Sequence, residues 1–158
     1  MMRIIVKQPK QCTRKELDMF CTLLYKLSLS PSAYTIKHIC KCHLLGLCVD
    51  GTSLMWISAI KNPTYGRKQK LTTLTHINLS NTLWEYWYVY VLPKYRWLGI
   101  SKKLYTSLIQ KSTIPLYATV KENNTPMKKI LIQLWFTQAW NTFKSNITND
   151  TLHLYTKP

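Results

Sequence analysis

Acidic side chains are scarce in this sequence. Six Asp and Glu residues stand against 22 Lys and Arg among 158 positions, a formal net charge of +16. A field of that sign repels free polyamines and basic peptide tails and attracts phosphates. Long apolar runs are missing too: nothing approaches the roughly 20 consecutive apolar residues of a membrane-spanning helix. Met1 to Lys7 lacks the apolar segment of a signal peptide. The five cysteines are odd in number and follow no disulfide framework, the usage of a reducing compartment. Together these absences predict a cytoplasmic (intracellular) chain with no membrane partner. No internal repeat or low-complexity stretch interrupts it, and 46% apolar residues suffice for a core, so a single domain over 1–158 is expected.

What the charge serves stays open on sequence alone. Lys, Arg, Trp and Tyr interleave in the manner of phosphate clamps and stacking platforms, which suits a nucleic-acid partner. The alternative is a solvated basic shell that keeps the protein in solution, and richness in Lys, Asn, Thr and Ile also follows from an AT-rich genome. No metal is expected. His38, Cys40, Cys42 and His43 put four ligand types in six residues, but H-x-C-x-C-H lacks the C-x-x-C or H-x-x-x-H spacing that converges on a tetrahedral ion. No second pair completes the set, and buried free thiols at a strand entrance are the simpler expectation.

Arg3 to Val6 suits an opening strand. Thr13 with Glu16 forms a capping box, and Leu17, Phe20, Cys21, Leu24 and Leu27 trace one apolar face, giving a helix of about four turns. Pro31 breaks it, and a shorter helix is predicted from Ala33 to about Cys40. Leu44 to Val49 and Leu54 to Ile60 flank Asp50-Gly51, a strong hairpin signal. Thr72 to Leu79 predicts a further strand, with 80–82 turning back into the next. Phe136 to Phe143 and Thr151 to Thr156 pair as a closing hairpin. The order predicts an α/β (α+β) fold, a mixed, largely antiparallel sheet flanked by about four helices.

The chain is organised around Trp84 to Ser112. Glu85 to Val91 is a β-branched and aromatic run of the kind a buried strand shows, and Pro93 closes it. Beyond the turn 94–99, Ile100, Leu104, Leu108 and Ile109 repeat at helical spacing. Such a strand–turn–helix unit points unpaired backbone N–H groups, at the positive end of the helix dipole, above the strand's C-terminal edge. Phosphate suits that arrangement, although most one-glycine turns of this kind bind nothing.

Register and content narrow it. Arg96, Gly99 and Ser101 form R-x-x-G-x-S, which resembles the R/Q-x-x-G-x-G/A pyrophosphate loop of the GNAT superfamily of acetyl-CoA-dependent N-acetyltransferases. Val91, Pro93 and Tyr95 match the same family's run into that loop. A second block, Ala118-Thr119 followed by Asn123, Asn124, Met127, Ile130, Leu131 and Phe136, looks like the family's A-T-x-x-x-N-N-x-x-M-x-x-I-L-x-x-x-G-F. Ser101 replaces Gly or Ala, Trp135 replaces the usual glycine and reshapes the turn after the helix, and Leu131 sits where many members carry a tyrosine acid. Ala59, Lys61, Pro63, Tyr65 and Arg67 resemble a run of one subgroup, A-x-K-x-P-x-Y-x-R. The resemblance covers roughly 54–156 and is specific in the loop and the asparagine helix; GNAT dimers are frequent, so a homodimer is among the partners it implies.

The resemblance implies acetyl-CoA as co-substrate, held by Tyr90, Val91, Arg96, Trp97, Leu98, Gly99, Ile100, Ser101 and Asn124. Main-chain N–H groups near Tyr90 and Val91 would polarise the thioester carbonyl, on a strand that splays from its neighbour in the family. Transfer to an amine also needs a base and a proton for the departing sulfur. Glu85, among Trp84, Tyr86 and Trp87, is the candidate base, because desolvation raises a carboxylate's pKa; its spacing to Arg96 equals that of the catalytic glutamate in histone-type members. The competing account is an ion pair with a nearby Lys or Arg. For the acid, Tyr105, Tyr117 and a bound water are all candidates, and the sequence does not choose among them. The implied activity is acetyl transfer from acetyl-CoA to a primary amine, on an acceptor that is anionic or associated with nucleic acid. Two alternatives stand beside it: modification of a DNA base or an aminoacyl-tRNA, and an inactive nucleic-acid-binding module on the same fold.

Overall fold

The computed structural model describes residues 2–26, 36–79, 84–95, 99–145 and 148–158. They form two compact units, Met1–Lys61 with Trp87–Thr113, and Asn62–Tyr86 with Ile114–Pro158. Strand hydrogen bonding follows the order β1-β2-β3-β4-β5-β7-β6, mixed but largely antiparallel, with β4 and β5 parallel.

In the first unit, β1 (Met2–Lys7) pairs antiparallel with β2 (Cys42–Asp50), and β2 with β3 (Ser53–Lys61). The hairpin turns at Gly51, whose φ of 57° is the left-handed conformation the D-G pair signals. Alternation along β2 and β3 sends side chains to opposite faces. Leu45, Leu47, Ile57 and Ala59 meet α1 (Arg14–Tyr25) and α2 (Ile36–Ile39), while Cys48 and Trp56 meet α4 (Ile100–Gln110) through Ile100 and Leu104. Helix α1 starts where the capping box predicts: Thr13 Oγ1 accepts from Glu16 N at 3.2 Å, and Glu16 Oε2 accepts from Thr13 N at 2.7 Å. Its buried Leu17, Phe20, Leu23 and Leu24 each contribute roughly 1.5–3 kcal/mol relative to exposure. Gly46 lets α4 lie close on the other face, since a Cβ there would come 3.0 Å from Leu104 Cδ1. Of the helix predicted from Ala33, the described part is α2; residues 33–35, Pro31 and the turn 80–82 lie outside the described residues.

In the second unit, the expected strand over Thr72 to Leu79 is replaced by a helix, α3 (Tyr65–Thr75). The β-branched Thr72, Thr73 and Thr75 suggest a strand, but they follow a strong start: Thr64 Oγ1 accepts from Arg67 N at 3.3 Å, and helix-forming Lys68, Gln69 and Lys70 come next. The threonines are then accommodated by donating to carbonyls one turn back, Thr73 to Gln69 at 3.0 Å and Thr75 to Leu71 at 2.7 Å. The first residues of β4 (Trp84–Val91) pair parallel with β5 (Leu116–Lys121), Glu85 opposite Tyr117. The closing hairpin forms as expected, β6 (Thr137–Lys144) with β7 (Thr151–Lys157), and β7 also pairs with β5. Between them α5 (Thr125–Gln133) is capped by Asn124, whose Oδ1 accepts from Met127 N at 3.2 Å.

Candidate active site

The turn that leads from β4 into α4 is set by backbone conformation. Leu92 N donates to Met55 O at 3.3 Å, and a 3-10 turn over Pro93–Tyr95 follows. Tyr95 meets Trp56 edge to face at 6.0 Å, with Lys94 Nζ 4.7 Å above the Tyr95 ring. Gly99 then caps α4 at φ 66° and ψ 4°, and a Cβ built on it would meet nothing within 4 Å. Gly99 is the N-cap of α4, and the first N–H groups of an α-helix have no partner within the helix itself. An exposed, left-handed glycine ahead of such amides leaves room for an anion. Arg96, Trp97 and Leu98 lie outside the described residues; Tyr90 and Val91 end β4.

Glu85 sits in a different kind of site. It is 1% exposed in β4, and Arg67 of α3 grips it with a fork: Nε donates to Oε1 at 2.9 Å and Oε2 at 2.8 Å, and Nη2 donates to Oε1. Burial opposes the Arg67 charge, but the hydrogen bonds and attraction of Glu85 outweigh it and raise the guanidinium pKa. Tyr117, opposite Glu85, has its pKa raised by burial and then by the Glu85 charge. Its hydroxyl is near enough to feel both members of the pair, yet it makes no hydrogen bond of good geometry and is completely buried. The structure therefore brings together Glu85, Arg67 and Tyr117. Arg67 had no role assigned from the sequence, although the subgroup run ending on it was the available signal.

Tyr105 belongs to α4, in the other compact unit; it is buried, and desolvation raises its pKa, so it stays a phenol. Asn124 spends its side-chain oxygen on the α5 cap. Leu131 is fully buried, and Phe136 lies at 6.5 Å from Tyr86, ring to ring. Trp135 follows α5 at the position where the resemblance has glycine. It adopts φ 67°, the left-handed conformation glycine takes at least cost, and leaves its indole 81% exposed. Among the described residues no group of three or more His, Cys, Asp or Glu side chains converges as a metal site. Cys42 is buried at the head of β2 with its thiol pushed up to about 12 by burial, whereas Cys40 is exposed. Among the described residues no helix is long and apolar enough to cross a membrane.

Among the cavities that adjoin these elements, two bear on the site. One, of about 700 Å³, is in the first unit, where Arg14, Lys15, Lys26 and Lys94 surround Leu23 and Tyr95. The other, of about 270 Å³, is in the second unit and has Arg67 in its wall.

No protein-family model and no curated protein sequence matches the chain. Solved structures do. The chain is similar to an acyl-CoA N-acyltransferase from Pseudomonas aeruginosa, with a TM-score of 0.70, 11% identity and 100% of each chain covered. An acetyltransferase of the GNAT family from Streptococcus pneumoniae gives 0.68 at 14% identity, covering 99% of each. Arabidopsis thaliana NAA60, solved in complex with acetyl-CoA, gives 0.64 at 14%, covering 99% of this chain and 98% of that one. At such identities what is shared is the fold, and the fold is that of the GNAT acetyltransferases.

Proposed function

We propose, with that acetyltransferase fold as premise, that this chain is an acetyl-CoA-dependent N-acetyltransferase. Its acceptor is a primary amine on an anionic or nucleic-acid-associated molecule, and the two units work as one domain. The observation that carries the proposal is the start of α4, where exposed Gly99 takes the left-handed conformation at the N-cap. Amides there, from Gly99, Ile100 and Ser101, hold a diphosphate together with Arg96, Trp97 and Leu98. Main-chain groups of Tyr90 and Val91 hold and polarise the acyl arm, and Asn124 offers its N–H2 while its oxygen stays on the cap. The coenzyme, when bound, supplies an activated acyl group as a thioester.

This chain's own groups manage protons. Glu85 receives the amine's proton, and Tyr105 or the unsatisfied Tyr117 hydroxyl provides one for the departing sulfur. Arg67 occupies both Glu85 oxygens, so one must be released, or the proton must arrive through a water. That grip also favours a second account, in which Glu85 and Arg67 are a buried structural pair. Glu85→Gln separates the two. As a base, its loss leaves acetyl-CoA affinity intact and removes most turnover near neutral pH, read as coenzyme thiol release. As a structural partner, its loss lowers the melting temperature while the folded fraction turns over normally.

The proposal as a whole is tested by calorimetric titration with acetyl-CoA, which is expected to show saturable binding; no affinity overturns it. Nucleic-acid association is tested by filter binding against salt. Affinity that falls steeply with salt means many phosphates neutralised, and a flat response returns the acceptor to a small molecule or a protein.

A further inference from the structure

The cavity of about 270 Å³ in the second unit is smaller than the roughly 300–1,000 Å³ of a drug-sized ligand site. It suits a small molecule. Its lining is apolar at Leu71 and Leu74 of α3 and Phe143 of β6, and cationic at Arg67, Lys70 and Lys144. Among the described residues that line it there is no carboxylate. The three cations are not equivalent. Arg67 is balanced by Glu85, whereas Lys144 Nζ donates to the neutral Thr151 Oγ1 at 2.9 Å. The acid that Lys144 senses, Asp150, bonds instead to Lys121 at 2.9 Å. Lys70 and Lys144 therefore line the same cavity as Leu71, Leu74 and Phe143, with no carboxylate among its described lining residues.

The same side chains connect this cavity to the proton-handling cluster. Arg67 lines the cavity and holds Glu85, and Leu71 and Phe143 share one apolar cluster with the Tyr117 ring. A molecule in that cavity lies against the wall behind which Glu85, Arg67 and Tyr117 meet.

We propose that this cavity receives the acceptor, and that Lys70 and Lys144 select an amine whose small apolar body carries a carboxylate or phosphate. The proposal rests on the acetyltransferase reading and names its substrate class. The apolar body covers Leu71, Leu74 and Phe143; the anionic group meets the two lysines. A polyamine or a basic peptide tail is rejected, because it presents positive charge to a lining that is already positive.

Equilibrium binding tests this apart from catalysis. The probes are para-(aminomethyl)benzoate, the matching phosphonate and the neutral para-(aminomethyl)benzamide, titrated by ligand-observed NMR into the full chain. The two acids are expected to bind more tightly than the amide, and whichever binds tighter identifies the anionic group. Lys70→Gln with Lys144→Gln removes two exposed charges without opening the core. It should weaken binding of the acids roughly threefold to tenfold, as two partly solvated ion pairs allow, and leave the amide and acetyl-CoA affinity unchanged. Equal binding of acid and amide, or a preference that survives in the double variant, overturns the proposal. So does binding of a single-stranded oligonucleotide through Lys70 and Lys144 when neither small acid binds. Lys-dependent binding of the acids without any thiol release would sink the enzymatic reading alone and leave the anion-selective cavity standing.

Discussion

The start of α4 at Gly99, proposed to take an anion, and the cluster around Glu85 are built in opposite ways. At the start of α4 the proposed donors are backbone amides after one left-handed glycine, so side-chain identity would matter little and local conformation would decide. At Glu85 nothing local suffices. Its partners come from α3, eighteen positions earlier, and from β5, and only the packing of the second unit brings them together. A backbone site is damaged by changing conformation, and a side-chain site by changing partners; the two should respond to different substitutions.

The largest effect is expected at the side-chain site. Arg67→Ala leaves the Glu85 carboxylate 1% exposed and without its fork, and breaking a buried pair from one side costs about 3–5 kcal/mol. Arg67 is 38% exposed in its side chain, so water can reach the vacated space and the lower end is expected, about 3 kcal/mol in denaturant unfolding. Arg67→Lys keeps the charge but loses the two-point geometry and should fall between. The double variant Arg67→Ala with Glu85→Gln should recover much of the loss. If it is no more stable than Arg67→Ala alone, the pair is not what the unpaired charge disturbs, and the contrast between the two sites fails.

At the backbone site the effect is smaller in stability and larger in ligand affinity. Gly99→Val forces a β-branched residue to φ 66°, a cost of roughly 1–2 kcal/mol. The space around a Cβ there is open, so no clash adds to it. Acetyl-CoA affinity should drop about tenfold, the equivalent of some 1.4 kcal/mol, as the amides lose their aim. Gly99→Asn, which tolerates the left-handed region, should retain most of the affinity. Equal losses for Val and Asn would mean that side-chain bulk, not conformation, governs the start of α4.

The same contrast explains which parts of the molecule were legible beforehand. The Thr13–Glu16 capping box, the D-G hairpin, the closing hairpin, and the strand β4 and helix α4 are local patterns, and each appears where its residues indicate. Helix α3 was not legible. Its threonines favour a strand locally, and they are outweighed by the cap at Thr64 and by Leu71 and Leu74 packing with Tyr117 and Phe143, contacts that span half the chain. The same omission hid Arg67, because a residue assigned ahead of a strand cannot be seen to face Glu85. Glu85 itself stood out for its apolar neighbours in sequence. Its charged neighbour in space belongs to the helix that was missed.

Trp135 gives the smallest expected effect and tests the backbone side of the comparison outside the site. The indole is 81% exposed while its backbone is held at φ 67°. Glycine at that position removes the left-handed penalty of roughly 1–2 kcal/mol, but it enlarges the unfolded ensemble by roughly 0.5–1 kcal/mol. Trp135→Gly should therefore stabilise the chain by about 0.5 kcal/mol, visible as a small rise in the unfolding midpoint, with acetyl-CoA binding unchanged. Trp135→Ala removes the same ring without relieving the backbone and should not share the gain. A midpoint that falls in both variants would mean that the indole stabilises the fold through contacts of its own, and that backbone conformation does not dominate at this turn as it does at Gly99.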